Sequence, residues 1–234
     1  LLLDASYGAA ELVNVEDDLD QFRIETSDAS FGLGLVQSLW RTPSDQVDLS
    51  LLFERRRSKT LFDGERQTFG AGPERGLSEI SVFRLGSDWT HRGLRSVFAL
   101  RSLASFGTNL GNPTINRGDA TAGDTPDGVF VSWFGQARGV YRFDGSGIEA
   151  RLRADLQLSD RPLLPLEQFA IGGTGTVRGY RRTQPVRDQG FSAALDHSVP
   201  VWPAADRRPL LPVTPFVHAR RARDLSRGVP EPQQ

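Results

Sequence analysis

The sequence contains no cysteine, so neither a disulfide framework nor a thiolate metal site is open to it. Lysine is nearly absent as well. Lys59 is the only one, and the basic side is carried by arginine, which fits a GC-rich coding sequence better than a binding surface. A net charge of −1 excludes the general electrostatic affinity of a nucleic-acid binder. His91, His197 and His218 lie far apart and show no ligand spacing, so no metal and no cofactor is expected. No apolar run approaches the ~18–20 residues of a membrane helix; a β-barrel would show no such run either. The chain opens on Leu1 with neither an initiator Met nor a three-part signal peptide, and reads as an internal fragment or a trimmed chain.

Enzyme signatures are missing too. Gly172–Gly179 reads GGTGTVRG, which is not G-x-G-x-x-G and precedes no helical pattern. There is no phosphate-binding G-x-x-x-x-G-K-[ST] and no G-x-S-x-G; Ser146 in Asp144-Gly145-Ser146-Gly147 reads as a hairpin turn. His197 follows Asp196, but adjacent strand residues face opposite ways, so the two make no dyad. The expectation is a protein that is not an enzyme.

What is present is alternation of period two. In Ile148–Leu158, Ile148, Ala150, Leu152, Ala154, Leu156 and Leu158 are apolar, while Glu149, Arg151, Arg153, Asp155 and Gln157 between them are polar. Such a strand shows oil to one side and water to the other. Val129–Phe143 and Val47–Arg57 read the same way, and Phe31–Trp40, Glu79–Trp89, Ser96–Phe106 and Gln189–Val199 do so with lower contrast. Leu1–Val13 and Asp20–Thr26 are weaker strands, and Pro209–Ala219 is weakened by its prolines. Arg55-Arg56-Arg57 reads as a solvated strand end.

The connections alternate in length. Arg41–Gln46, Thr90–Arg95, Asp144–Gly147 and Pro200–Arg208 are short, whereas Ser58–Ser78, Gly107–Gly128 and Ser159–Asp188 are long. In an up-and-down sheet, alternate connections share an end, so one end carries tight turns and the other long loops. Outer-membrane barrels have this asymmetry. The charged face of Ile148–Leu158 would then line a hydrated lumen, with Trp40, Trp89, Trp133 and Phe143 in an aromatic girdle. The alternative is a soluble β-sandwich binding module, with that face in solvent. The longest connection contains Pro162–Arg187, glycine-rich and too long for a turn; loops of more than about 12–15 residues are usually functional.

Within that loop, Leu164-Pro165-Leu166-Glu167-Gln168-Phe169-Ala170-Ile171-Gly172-Gly173 followed by Thr176-Val177-Arg178-Gly179-Tyr180 resembles the signature of two-partner-secretion transporters, the hemolysin secretion/activation proteins. Arg41-Thr42-Pro43-Ser44 and Phe53-Glu54-Arg55-Arg56-Arg57-Ser58 are similar to that family's barrel. The resemblance covers roughly residues 20 to 215. It implies an all-β fold: an antiparallel transmembrane β-barrel of the outer-membrane type, with about sixteen strands in the family and incomplete here. It implies a barrel domain over 1–220, an irregular tail over 221–234, and POTRA domains that this chain lacks. The implied function is export of a large hemolysin- or adhesin-like partner protein by a monomer embedded in outer-membrane lipid, without nucleic acid or cofactor. A barrel-assembly insertase of the same superfamily is the alternative.

The resemblance further implies that the loop 159–188 enters the lumen, with Gly172, Gly173, Val177, Arg178, Gly179 and Tyr180 as the translocation motif. Arg178 would pair with a wall carboxylate. The family's usual partner lies in a Phe-x-Asp-x-Gly string, but here the string is Phe216-Val217-His218-Ala219-Arg220, so Asp155, Asp196 and Glu149 become the candidates. The departure at His218 and the Arg- and Pro-rich tail imply a frameshift or truncation near residue 217.

Overall fold

The computed structural model describes residues 1–13, 24–66, 76–116, 125–143, 147–170, 186–203 and 209–225. The alternating stretches form strands: β1 (Leu2–Val13), β2 (Ile24–Arg41), β3 (Asp45–Phe62), β4 (Glu65–Arg66), β5 (Leu77–Arg92), β6 (Ser96–Thr108), β7 (Val131–Arg142), β8 (Glu149–Ser159), β9 (Phe169–Ala170), β10 (Val186–Arg187), β11 (Gln189–Pro203), β12 (Pro209–Val213) and β13 (Phe216–Arg223). Among the described residues there is no helix. All but β9 and β10 lie in one 11-stranded sheet, and every strand pairing in it is antiparallel.

The long strands follow one another across the sheet as a meander, β1-β2-β3-β5-β6-β7-β8-β11. The last position is shared. β12 pairs with the end of β11 through Val199↔Val213, and β13 pairs with its beginning through Asp196↔Phe216. They are two halves of one edge strand, interrupted at Thr214–Pro215. An edge position tolerates proline because the missing N–H faces away from the ladder.

Two boundaries differ from the sequence reading. Of the expected strand Asp20–Thr26, residues 20–23 lie outside the described residues, and 24–26 belong to β2: Thr26 pairs with Thr60 in the ladder that continues through Phe31↔Arg55. The polar run Ser27, Asp28, Ser30 hides that continuity. Likewise, β3 runs past Arg57 to Phe62. It turns at Asp63 (φ 51°) and Gly64 (φ 83°) into β4, the paired positive φ values that a type I′ hairpin turn requires.

Connections sort by end as expected. The short ones, 42–44, 93–95 and 143–148, lie at one end of the meander. The long ones, 63–76, 109–130 and 160–188, lie at the other.

The two faces differ sharply in chemistry. Register partners share a face, so Leu35, Leu51 and Leu85 point one way together, as do Leu100, Leu156 and Leu195. These six leucines are 36% to 51% exposed. A sandwich would bury this face against a second sheet; here it stays open, as the lipid face of a barrel does. Glu149, Arg151, Arg153, Asp155 and Gln157 occupy the opposite, polar face. Trp40, Trp89 and Phe143 gather near the short-turn end of the apolar face, with Trp40 and Trp89 both opposite Val47. Phe143 packs on Tyr141 and His197, ring centroids 5.0 and 6.1 Å away. His197 thus faces out while Asp196 faces in. Trp133 departs from the girdle, lying near the long-loop end of β7. The sheet is not closed: among the described residues β1 pairs only with β2, and the β12–β13 edge only with β11.

Candidate functional site: the anchored stem of the long loop

The segment after β8 does not leave the sheet. It folds back over the polar face, where Ile80 and Val82 of β5 meet Phe130, Leu163 and Leu164 in a buried apolar cluster. Within the loop, β9 and β10 pair through Val186↔Ala170 and Arg187↔Phe169, forming a two-stranded stem. Phe169 is buried and faces Phe134 of the wall, centroids 6.3 Å apart. Leucine and phenylalanine at 163, 164 and 169 thus give the stem an apolar underside. The prolines at 162 and 165 hold the segment extended between them.

Beside this cluster sits Arg84. Its Nη1 and Nη2 donate to Glu167 Oε2 and Oε1 at 2.9 and 2.7 Å. Its Nε and Nη2 donate to Glu54 Oε2 at 3.1 and 3.0 Å, and Nη1 also donates to Ser105 Oγ at 2.9 Å. All five guanidinium N–H groups are therefore engaged. The Arg84 and Glu167 side chains are only 12% and 6% exposed. A buried cation of this kind is tolerable only when paired and fully hydrogen-bonded. Arg56 adds a bond to the Leu166 carbonyl at 3.0 Å and lies 3.6 Å from Glu167. The Arg55-Arg56-Arg57 run is thus not merely a solvated strand end. Strand alternation sends Arg56 to the stem, while Arg57 pairs with Glu79 at 3.2 Å on the other face.

The far end of the stem is tied by Asp188, 1% exposed. Its Oδ1 accepts the Leu163 N–H at 2.9 Å and the Gln168 amide at 3.0 Å. Its Oδ2 accepts the Leu225 N–H at 2.7 Å. Gln157 of β8 donates to the carbonyls of Glu167 (3.0 Å) and Asp188 (3.3 Å). One carboxylate thus joins both ends of the loop and the segment that follows β13.

The motif residues Gly172, Gly173, Val177, Arg178, Gly179 and Tyr180 lie outside the described residues. The three wall carboxylates are all on the polar face, each bonded to arginine. Asp155 takes Arg138 in a two-pronged bond (2.8 and 3.0 Å) and Gln136 at 2.9 Å. Glu149 takes Arg151 at 2.6 Å and Arg142 at 3.4 Å. Asp196 takes Arg153 at 2.6 Å through Oδ2. Its Oδ1 is buried without a hydrogen bond, 3.7 Å from Nε2 of His218, whose ring nitrogens are likewise buried without one. Among the three, only Asp196 keeps an oxygen open.

Sequence reasoning missed Arg84, Glu54, Arg56 and Asp188. An arginine flanked by Val82, Phe83 and Leu85 was the one available signal for Arg84. Glu167 was visible only as a letter in the loop string.

The model of the family "Haemolysin secretion/activation protein ShlB/FhaC/HecB" matches residues 3–217. Among solved structures, CdiB from Escherichia coli is similar at a TM-score of 0.69 and 20% identity, over 86% of this chain and 36% of that one. CdiB from Acinetobacter baumannii is similar at 0.65 and 14% identity, over 94% of this chain and 41% of that one. The chain therefore spans well under half the length of either structure. No curated protein sequence matches it.

Proposed function

The chain belongs to the haemolysin secretion/activation family of ShlB, FhaC and HecB, and from that premise we propose that it forms one sector of a pore exporting a large hemolysin- or adhesin-like partner protein. Members of this family are outer-membrane transporters of Gram-negative bacteria, not enzymes. The apolar face meets lipid and the polar face lines the lumen, in keeping with the alternation of such barrels. The observation that carries the reading is the stem of the long loop, held on the polar face by Arg84 and Glu167. A loop seated there occupies the lumen rather than the cell surface.

We further propose that the barrel sector spans 1–220, that the loop 159–188 turns its Val177–Tyr180 tip into the lumen, and that the transporter acts as a monomer. Of the candidates Asp155, Asp196 and Glu149, Asp196 suits Arg178 best. Its Oδ1 is buried and still lacks a donor, and the buried ring nitrogens of His218 beside it lack hydrogen-bond partners too. A guanidinium fork can reach both.

In the full-length protein that carries this chain, Arg178→Ala is expected to lower the partner protein in the medium while heat-modifiable barrel still appears in the membrane fraction. Asp196 keeps Arg153 in that variant but loses the donor to its buried Oδ1, which costs about 1–3 kcal/mol, enough to free the loop tip without unfolding a barrel. Arg178→Lys restores export only in part, since an ammonium lacks the fork. Unchanged export by Arg178→Ala would remove the tip from the mechanism. Absence of export by the unmodified protein, with its neighbouring secreted candidate supplied, would remove the function itself.

A further inference from the structure

The ladder between β5 and β6 stops short of the end of β5. Its last pair is Ser81↔Thr108, whereas β5 begins at Leu77 and still pairs with β3 there, through Arg57↔Glu79 and Ser58↔Ser78. On the β6 side the Glu79 N–H and carbonyl would be left bare, which a buried backbone does not tolerate. Thr114, from the connection between β6 and β7, fills both. Its N–H donates to the Glu79 carbonyl at 2.9 Å, and its Oγ1 accepts the Glu79 N–H at 2.9 Å. The Thr114 carbonyl in turn accepts the Gly128 N–H at 2.9 Å. Asn116 Nδ2 donates to the Pro126 carbonyl at 2.5 Å. The two arms of the connection, 109–116 and 125–130, are therefore tied to each other and to the wall.

The fit is close. The Gly107 N–H donates to the Phe130 carbonyl at 2.8 Å. A Cβ on Gly107 would come 2.4 Å from the Gly128 carbonyl oxygen and 2.5 Å from Phe130 Cδ1. This placement turns Phe130 inward onto Ile80 and Val82, in the same buried cluster as Leu163 and Leu164 of the long loop. Asp127 forms a parallel bridge with Leu163. Beside it, the Asp160 N–H donates to the Val131 carbonyl at 3.0 Å, and the Val131 N–H donates to Asp160 Oδ1 at 2.9 Å. The stem of the long loop thus rests on this connection as well as on the strands.

We propose that the β6–β7 connection is a strap that positions the long loop, with Thr114 as its pin and Phe130 as the surface it presses on Leu163 and Leu164. Among the described residues the hydrogen bonds of Thr114 go to Leu77, Glu79 and Gly128, not to the long loop, so it acts on that loop through Phe130. The strap comes from the long-loop end of the sheet, which is extracellular in barrels of this kind. The seat of the lumen loop is therefore set from the cell surface. That last step rests on the pore proposed above; the contact between strap and stem does not.

The test is amide hydrogen exchange in the full-length protein, read at the Leu163 N–H, which Asp188 Oδ1 protects. Its rate reports how often the stem opens. Thr114→Val removes the acceptor from the Glu79 N–H and should speed exchange at Leu163 about tenfold, the factor that a buried donor left unmade produces. The Leu156 amide in β8 should keep its rate, and Thr114→Ser, which retains the hydroxyl, should match the unmodified protein at both. Phe130→Ala should speed Leu163 exchange roughly a hundredfold by leaving a cavity under the two leucines. The two effects should not multiply: in the Phe130→Ala background, Thr114→Val should change the Leu163 rate by less than about twofold, since the pin acts through the ring. Unchanged exchange at Leu163 in Thr114→Val would overturn the strap and make the two loops independent. Equal acceleration at Leu163 and Leu156 would overturn it in favour of a general loosening of the sheet. Full multiplication of the two effects would remove Phe130 as the link. Should Phe130→Ala fail to insert, Phe130→Leu makes the same comparison with a smaller step. Export enters none of these readings, so the strap and the transport function can fail separately.

Discussion

Replacing Arg84 with methionine is expected to destabilise the barrel by about 3–5 kcal/mol and to release the loop stem from the wall. The substitution keeps most of the aliphatic stem but leaves Glu54 and Glu167 facing each other without their shared cation. Two carboxylates in so enclosed a place repel and lack donors. The measurement is the temperature at which the folded, heat-modifiable form of the full-length protein is lost, together with trypsin cleavage after Arg187. Arg84→Met should lower the first and speed the second. Arg84→Lys should fall between, because three ammonium donors cannot replace five guanidinium donors in a planar fork. The triple variant Arg84→Met/Glu54→Leu/Glu167→Leu should recover much of the stability, since apolar groups of similar volume often replace a buried ion cluster at no cost. An Arg84→Met protein with wild-type melting and cleavage would mean that the apolar cluster alone holds the stem.

Asp188→Ala should have the second-largest effect, by a different route. It removes no cation partner but orphans the Leu163 and Leu225 N–H groups and the Gln168 amide. Each buried donor left unmade costs about 1–3 kcal/mol. Hydrogen exchange at Leu163 and Leu225 should accelerate together, although 62 residues separate them (225 − 163), because one carboxylate protects both. Asp188→Asn keeps one acceptor oxygen and should free one of the two amides more than the other. Independent exchange at the two sites in Asp188→Ala would show that the loop end and the segment after β13 are not joined through this side chain.

These two residues also mark where sequence reading stops. Strands β3, β7 and β8 were legible because their faces meet different solvents, and Ile148–Leu158 shows that contrast at every position. The order of loop lengths was legible too, since chain direction reverses at each connection. Arg84 and Glu167 were not. They stand 83 residues apart, and nothing local in either stretch says that a loop returns to its own wall. Arg56 was half-legible: alternation alone sends it to the face opposite Arg55 and Arg57, but not to a partner. The extension of β2 back to Ile24 was obscured by Ser27, Asp28 and Ser30, polar residues that look like a connection and are a wall. The row of small residues Ser87, Ser102 and Gly135 needs the register of neighbouring strands, which no single strand carries. The Asp196 and His218 pair is similarly a product of register, through Ala194↔His218 beside Asp196↔Phe216.

Of the arginines of β7 and β8 on the polar face, Arg138 pairs with Asp155 and Arg153 with Asp196, while Arg142 and Arg151 share Glu149, which leaves one positive charge in excess (4 − 3). A surface that carries its own counter-ions projects little net field beyond the first few ångströms. In the pore proposed above, an extended polypeptide sliding past would find donors and acceptors at every step and little lasting attraction for its acidic or its basic stretches. On that proposal the wall is largely indifferent to the composition of what moves along it, and recognition of a particular cargo falls to other surfaces.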